Sequence, residues 1–103
     1  MPNKITQQAD LMINKFSEIY KRIGSNLKRE RKKARLTQVQ LAEKISRIDD
    51  AKISNIENAK EDFMFSTLLE IANGLNIDVE KLTKKERAVK KKEEWNDEQQ
   101  SRI

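Results

Sequence analysis

Residues 37–58 read TQVQLAEKISRIDDAKISNIEN, and the pattern of apolar and capping residues in this stretch decides the fold. Thr37 and Gln40 have the spacing of a capping box, in which a threonine hydroxyl and a glutamine side chain each satisfy a backbone amide left without a partner in the first helical turn. A helix is predicted to start there, with Leu41, Ala42 and Ile45 on its buried face. The pattern breaks over 46–49, and Asp49 suits the N-cap of a second helix that turns Ile53 and Ile56 inward. Packing among these five apolar residues, with small Ala42 allowing close approach, holds two short helices at a steep angle and leaves the outer face of the second one free.

Upstream, Ile5, Ala9, Met12, Phe16, Ile19, Ile23 and Leu27 recur at steps of four and three, the spacing of one helix face. This stripe either covers the core of its own chain or pairs with the same stripe in a second subunit; packing within the chain is slightly favoured. Tyr20 and Met12 are read as core-edge residues, and Gly24 as the mark of a bend between one long helix and two joined ones. Downstream, Asn58 suits a left-handed helix end. Phe65, Leu68, Leu69, Ala72 and Leu75 then repeat helically from a cap at Ser66 or Thr67, with Glu70 completing a capping box from Thr67. Gly74 with Asn76 ends that helix, and Asp78 caps a last one carrying Val79 and Leu82. Beyond Thr83 a charged run with scattered Ala88, Val89 and Trp95 reads as a frayed helix or a disordered tail. The chain thus divides into an N-terminal helical extension (1–20), a helical domain (21–83) and a charged tail (84–103).

Composition agrees with an all-α fold. Among 103 residues there are two Gly and one Pro, too few for the turns of an all-β domain, and 38% of residues are charged, which suits short helices with narrow buried faces. No apolar stretch is long enough to cross a membrane and no signal-peptide pattern opens the chain, so a cytoplasmic location is expected. Cysteine and histidine are both absent, which removes disulfides, thiolate metal sites and the commonest acid-base residue. No catalytic residue, metal or cofactor is expected.

The formal net charge is +5, but it is unevenly placed. Residues 21–36 hold eight Lys and Arg against the single acid Glu30, whereas residues 37–83 are net acidic. A basic helix joined to an acidic body can neutralise phosphates and release counterions. The alternative is a helix face that Lys and Arg merely keep solvated.

The region from Ile23 to Leu82 combines Thr37-Gln38, Leu41-Ala42, Ile53-Ser54, Ile56-Glu57 and TLLEIANGLNI (67–77). In this it resembles the five-helix, lambda-repressor-like DNA-binding domain of the Cro/C1-type (XRE family) helix-turn-helix regulators. The resemblance implies that Thr37 and Gln38 contact phosphate, that Asp50, Ala51 and Asn55 read base edges, and that Lys52 and Lys60 reach the DNA backbone. It also implies a partly buried ion pair between Arg31 and Glu57. Two departures stand out: the interval from Ile45 to Ile53 is one residue longer than usual and lacks the family's turn glycine, and the following loop reads Ala59, Lys60, Glu61, Asp62 where a glycine and basic residues are usual.

Three functions follow from these readings. The first is a transcriptional regulator, a repressor binding a palindromic double-stranded DNA site as a homodimer. In the second, the chain is an antitoxin that binds its own promoter and holds a toxin through the N-terminal helix or the Trp95 tail. A protein-interaction module that has lost DNA binding is the third, supported by Asp49-Asp50 and the acidic loop.

Overall fold

The first helix of the domain carries its apolar residues on one side and ends in a basic turn, and the rest of the fold packs along it. In a computed structural model residues 11–85 are described, and among them α1 spans Ser17–Lys33, α2 Gln38–Glu43, α3 Asp50–Glu57, α4 Phe65–Leu75 and α5 Glu80–Thr83. No strand occurs among the described residues, so the all-α expectation holds. Residues 11–15 are also helical. The chain bends at Phe16 (φ −118°, ψ 36°), whose N–H still donates to the Met12 carbonyl at 3.0 Å. Ile5, Ala9, Ala88, Val89 and Trp95 lie outside the described residues.

Gly24 is not the bend. It sits inside unbroken α1, where a Cβ would lie 2.5 Å from the Glu57 carbonyl oxygen and 2.6 Å from that of Ile56. The missing side chain lets α1 cross the C-terminal end of α3 at backbone contact. Gly74 acts likewise within α4: a Cβ there would meet Ile45 Cγ1 at 2.9 Å. Both glycines are therefore spent on close helix approach, and the helix ends are turned by other residues.

Those ends are three left-handed, non-glycine positions: Arg35 (φ 62°), Ala59 (φ 55°) and Asn76 (φ 58°). After each, a backbone N–H folds back onto the preceding helix, Leu36 to Arg31 O at 3.2 Å, Lys60 to Asn55 O at 2.8 Å and Ile77 to Ala72 O at 3.0 Å, the pattern of a Schellman motif. Asn58 (φ −100°) is not the left-handed residue expected of it, because the reversal falls one residue later. Crowding of Cβ against the backbone carbonyl makes this conformation cost roughly 1–2 kcal/mol in a non-glycine residue, and at Ala59 the flanking amides offset it by closing onto Ile56 O and Asn55 O.

The N-termini divide by type. Thr37 closes a full capping box, with Gln40 N donating to its hydroxyl at 3.0 Å and its own N–H donating to Gln40 Oε1 at 2.9 Å. Asp49 Oδ1 accepts from Lys52 N at 2.9 Å and caps α3. The cap expected at Ser66 or Thr67 is absent: α4 starts at Phe65, and the Met64 carbonyl takes the Thr67 and Leu68 amides instead. Asp78 likewise does not cap α5, which starts after Val79 without a side-chain cap; only the Asp78 carbonyl is used, by Lys81 N at 3.0 Å.

One core joins all five helices: Ile23 and Leu27 of α1, Leu41 and Ile45 around α2, Ile53 and Ile56 of α3, Leu68, Ile71, Ala72 and Leu75 of α4, and Leu82 of α5. Among the described residues the N-terminal stripe enters this core only from Ile23 onward. Met12, Phe16 and Ile19 are left 45%, 43% and 44% exposed, so packing within the chain does not account for that half. In α4 the buried row runs through Ile71, which places Phe65 and Leu69 on its edge, in solvent. Buried Asn26, on the α1 face between Ile23 and Leu27, donates through Nδ2 to the carbonyls of Leu82 (3.0 Å) and Lys84 (2.9 Å) and so fastens the end of α5 to α1.

Gly24→Ala follows as a test of the α1–α3 contact. Helix propensity favours alanine by about 1 kcal/mol, but two backbone carbonyls would have to move, and overpacking of this kind costs roughly 1–3 kcal/mol. Denaturant unfolding should show net destabilisation.

Candidate nucleic-acid interface

α2 and α3 meet through Leu41, Ile45, Ile53 and Ile56, and the turn over 44–49 contains no positive φ. With no left-handed position in it, the turn is open to any L-residue, and Ser46 and Arg47 stand in it without a glycine. α3 buries Ile53, Ile56 and Glu57 and leaves Asp50 and Ala51 exposed at its first turn, with Lys52, Ser54 and Asn55 half-buried.

Glu57 carries the central polar contact. Arg31 Nε donates to its Oε2 at 2.6 Å and Arg31 Nη2 to its Oε1 at 3.1 Å, a bidentate pair between buried side chains. Gln38 Nε2 donates to the same Oε1 at 3.0 Å, and Arg31 Nη1 donates to the Leu36 carbonyl at 2.8 Å. One carboxylate thus ties α1, α2 and α3 together. Gln38 is turned toward this pair, beside the N-terminus of α2, while the Thr37 hydroxyl is occupied as the cap.

Two residues of α3, Lys52 and Asn55, are contacted by a residue that sequence reasoning missed. Glu61 Oε1 accepts from Asn55 Nδ2 at 2.8 Å, and Glu61 Oε2 accepts from the Lys52 ammonium, whose Nζ also lies 3.4 Å from the Asp62 carbonyl. Burial pushes the Glu61 carboxyl up, but the hydrogen bonds from Lys52 and Asn55, with the Lys52 charge, outweigh it, and the group titrates below its ordinary value. Asp62 is fixed in turn: its Oδ1 accepts from Tyr20 O–H at 2.5 Å and from Phe63 N at 2.8 Å, while the Tyr20 ring meets Phe63 edge-on at 5.8 Å. Lys60 is exposed. Of the residues singled out above, Lys52 and Asn55 are brought together, by Glu61; Arg31, Glu57 and Gln38 form the second group; Asp50, Ala51 and Lys60 stand apart in solvent.

The signal for Asn26 was present, as a polar residue in an apolar row. Glu61 had none, because its contact depends on the chain reversing at Ala59.

With this geometry in place the family can be settled. The helix-turn-helix family profile matches residues 27–82, more than half of the chain. The chain belongs to the Cro/C1-type helix-turn-helix family. It is accordingly a DNA-binding transcriptional regulator, of a family that is typically not enzymatic. No curated protein and no solved structure matches it. Among the described residues no helix is long and apolar enough to cross a membrane.

Two predictions test the polar contacts of this helix-turn-helix unit. Arg31→Ala leaves the Glu57 carboxylate buried beside only Gln38, and breaking such a pair costs about 3–5 kcal/mol; urea denaturation should show that loss, and Glu57→Gln in the same background should recover part of it. Burial, the hydrogen bond to Asp62 and the charge of Asp62 raise the Tyr20 pKa from 10.0 to about 12. A raised phenol contributes stability that is complete below its unfolded pKa and is lost as pH climbs through the folded one. The stability difference between the native chain and Tyr20→Phe should therefore shrink as pH rises from 10.0 to about 12, whereas phenolate absorbance of the folded chain's single tyrosine should rise only around the upper end of that window.

Proposed function

We propose that this regulator is a repressor that occupies a palindromic operator as a homodimer, with α3 in the major groove. The observation that carries the reading is the presentation of α3. Its inner side is immobilised by Ile53, Ile56 and the Glu57 pair, while Asp50, Ala51 and Asn55 lie away from the core at the outer face, where base edges would be read. Asn55 would recognise adenine, Ala51 a thymine methyl and Asp50 a cytosine amine; Thr37, Gln38 and Lys60 would approach phosphates near the N-terminus of α2 and the loop after α3. Repression would follow from occlusion of the promoter. Exposed Met12, Phe16 and Ile19 supply an apolar face for the second subunit.

That same face favours one further reading, in which it holds a toxin and the chain is the antitoxin of a pair. Light scattering of the purified chain separates the two, since a homodimer is required by the first and a monomer that dimerises only through DNA or a partner fits the second.

Fluorescence anisotropy against the chain's own promoter and a scrambled duplex, over a range of salt, tests DNA reading directly. Selectivity of about a thousandfold or more with a steep salt slope is the expected result. Asn55→Ala should remove about 1–3 kcal/mol of discrimination at one base position. Equal, weak binding to both duplexes would overturn the proposal and leave the chain as an interaction module.

A further inference from the structure

We infer that Glu61 is a specificity-determining residue, which orients the Asn55 amide for base reading and withholds Lys52 from the phosphates. The inference rests on the DNA-reading role proposed for α3.

An asparagine side chain presents an acceptor at Oδ1 and donors at Nδ2, and it discriminates bases only if its orientation is set. The Glu61 carboxylate accepts and cannot donate when ionised, so it selects the Nδ2 end of Asn55, at 2.8 Å, and directs Oδ1 to the other side. The remaining Glu61 oxygen holds the Lys52 ammonium. With its charge neutralised and its position fixed, Lys52 has little to offer a phosphate, although it lies on the same helix as the base-reading residues. Glu61 does not drift, because the left-handed Ala59 reverses the chain, Lys60 N fastens it to Asn55 O, and Tyr20 grips the adjacent Asp62. An acidic residue at this place also repels the DNA backbone. Its effect is to lower affinity for all sequences while sharpening the choice among them.

Glu61→Gln keeps the size of the side chain, removes the charge and presents an amide that no longer selects one end of Asn55. Anisotropy titrations of the full chain and this variant, on promoter and scrambled duplexes over a salt series, should show three changes. Scrambled DNA binds more tightly; the slope of log affinity against log salt steepens by about 0.9, the value of one added phosphate contact; and the promoter-to-scrambled ratio falls by roughly ten- to a hundredfold, the worth of one base contact. Lys52→Ala gives the control that a purely structural role would not produce. It should abolish the steepening in the Glu61→Gln background. If the native chain selects its promoter but Glu61→Gln changes neither slope nor ratio, or if the steepening persists when Lys52→Ala is added to Glu61→Gln, the inference is overturned and the DNA-reading role stands. Absence of binding by the native chain and by both variants at low salt would overturn that role itself, and the inference with it.

Discussion

The buried Glu57 carboxylate is the point on which this fold turns. Arg31 meets it with two hydrogen bonds from α1, Gln38 adds a third from α2, and the backbone of the same residue is where α1 passes closest, at Gly24. A buried pair of charges adds little net stability over a well-packed apolar substitute, but an incomplete one is expensive. The arrangement therefore penalises any packing in which α3 is rotated or displaced relative to α1 and α2. Apolar contacts among Leu41, Ile45, Ile53 and Ile56 bring the helices together without specifying direction, whereas the carboxylate with its two donors fixes how α3 is presented.

From α3 a second polar chain runs outward. Glu61 contacts Lys52 and Asn55, Asp62 follows it in sequence, and Tyr20 reaches Asp62 from the N-terminal half of α1. Tyr20 lies directly after Ile19, the last exposed member of the apolar stripe. The stripe and the outer face of α3 are thereby linked through a few packed side chains. The acidic loop, which weakens the case for phosphate contact when considered as charge alone, has a structural occupation as the partner of this chain.

The basic charge of α1 also has two uses. Arg31, Lys32 and Lys33 sit in its last turn, where cations complement the helix dipole and Arg31 is consumed by Glu57. Lys32 and Arg35 remain exposed and contribute to the positive field, while Lys33 Nζ lies 3.6 Å from the Glu30 carboxylate. Counting charges along the sequence overstated what is available for phosphate, because Arg31 and Lys52 are held by carboxylates.

Local chemistry alone determined the helical class and much of the core. The capping box at Thr37, the cap at Asp49 and the apolar rows of α2 and α3 depend on neighbours within a few residues, so they were legible directly, as was the end of α4 at Asn76, though not its left-handed conformation. The caps expected at Thr67 and Asp78 failed because the helix boundaries fell elsewhere: α4 begins at Phe65, so Thr67 is already inside its first turn, and α5 begins after Val79, one residue beyond Asp78. What only tertiary structure decided lies between elements far apart in sequence. Gly24 and Gly74 answer to carbonyls and side chains on other helices, Asn26 to the end of α5, and the exposure of Met12, Phe16 and Ile19 to where the core ends. Glu61 is nearer in sequence, six and nine residues from Asn55 and Lys52, yet its place over them follows from a chain reversal at Ala59, a left-handed conformation that an alanine in the sequence does not announce and that the Lys60 amide closes by bonding back to Asn55.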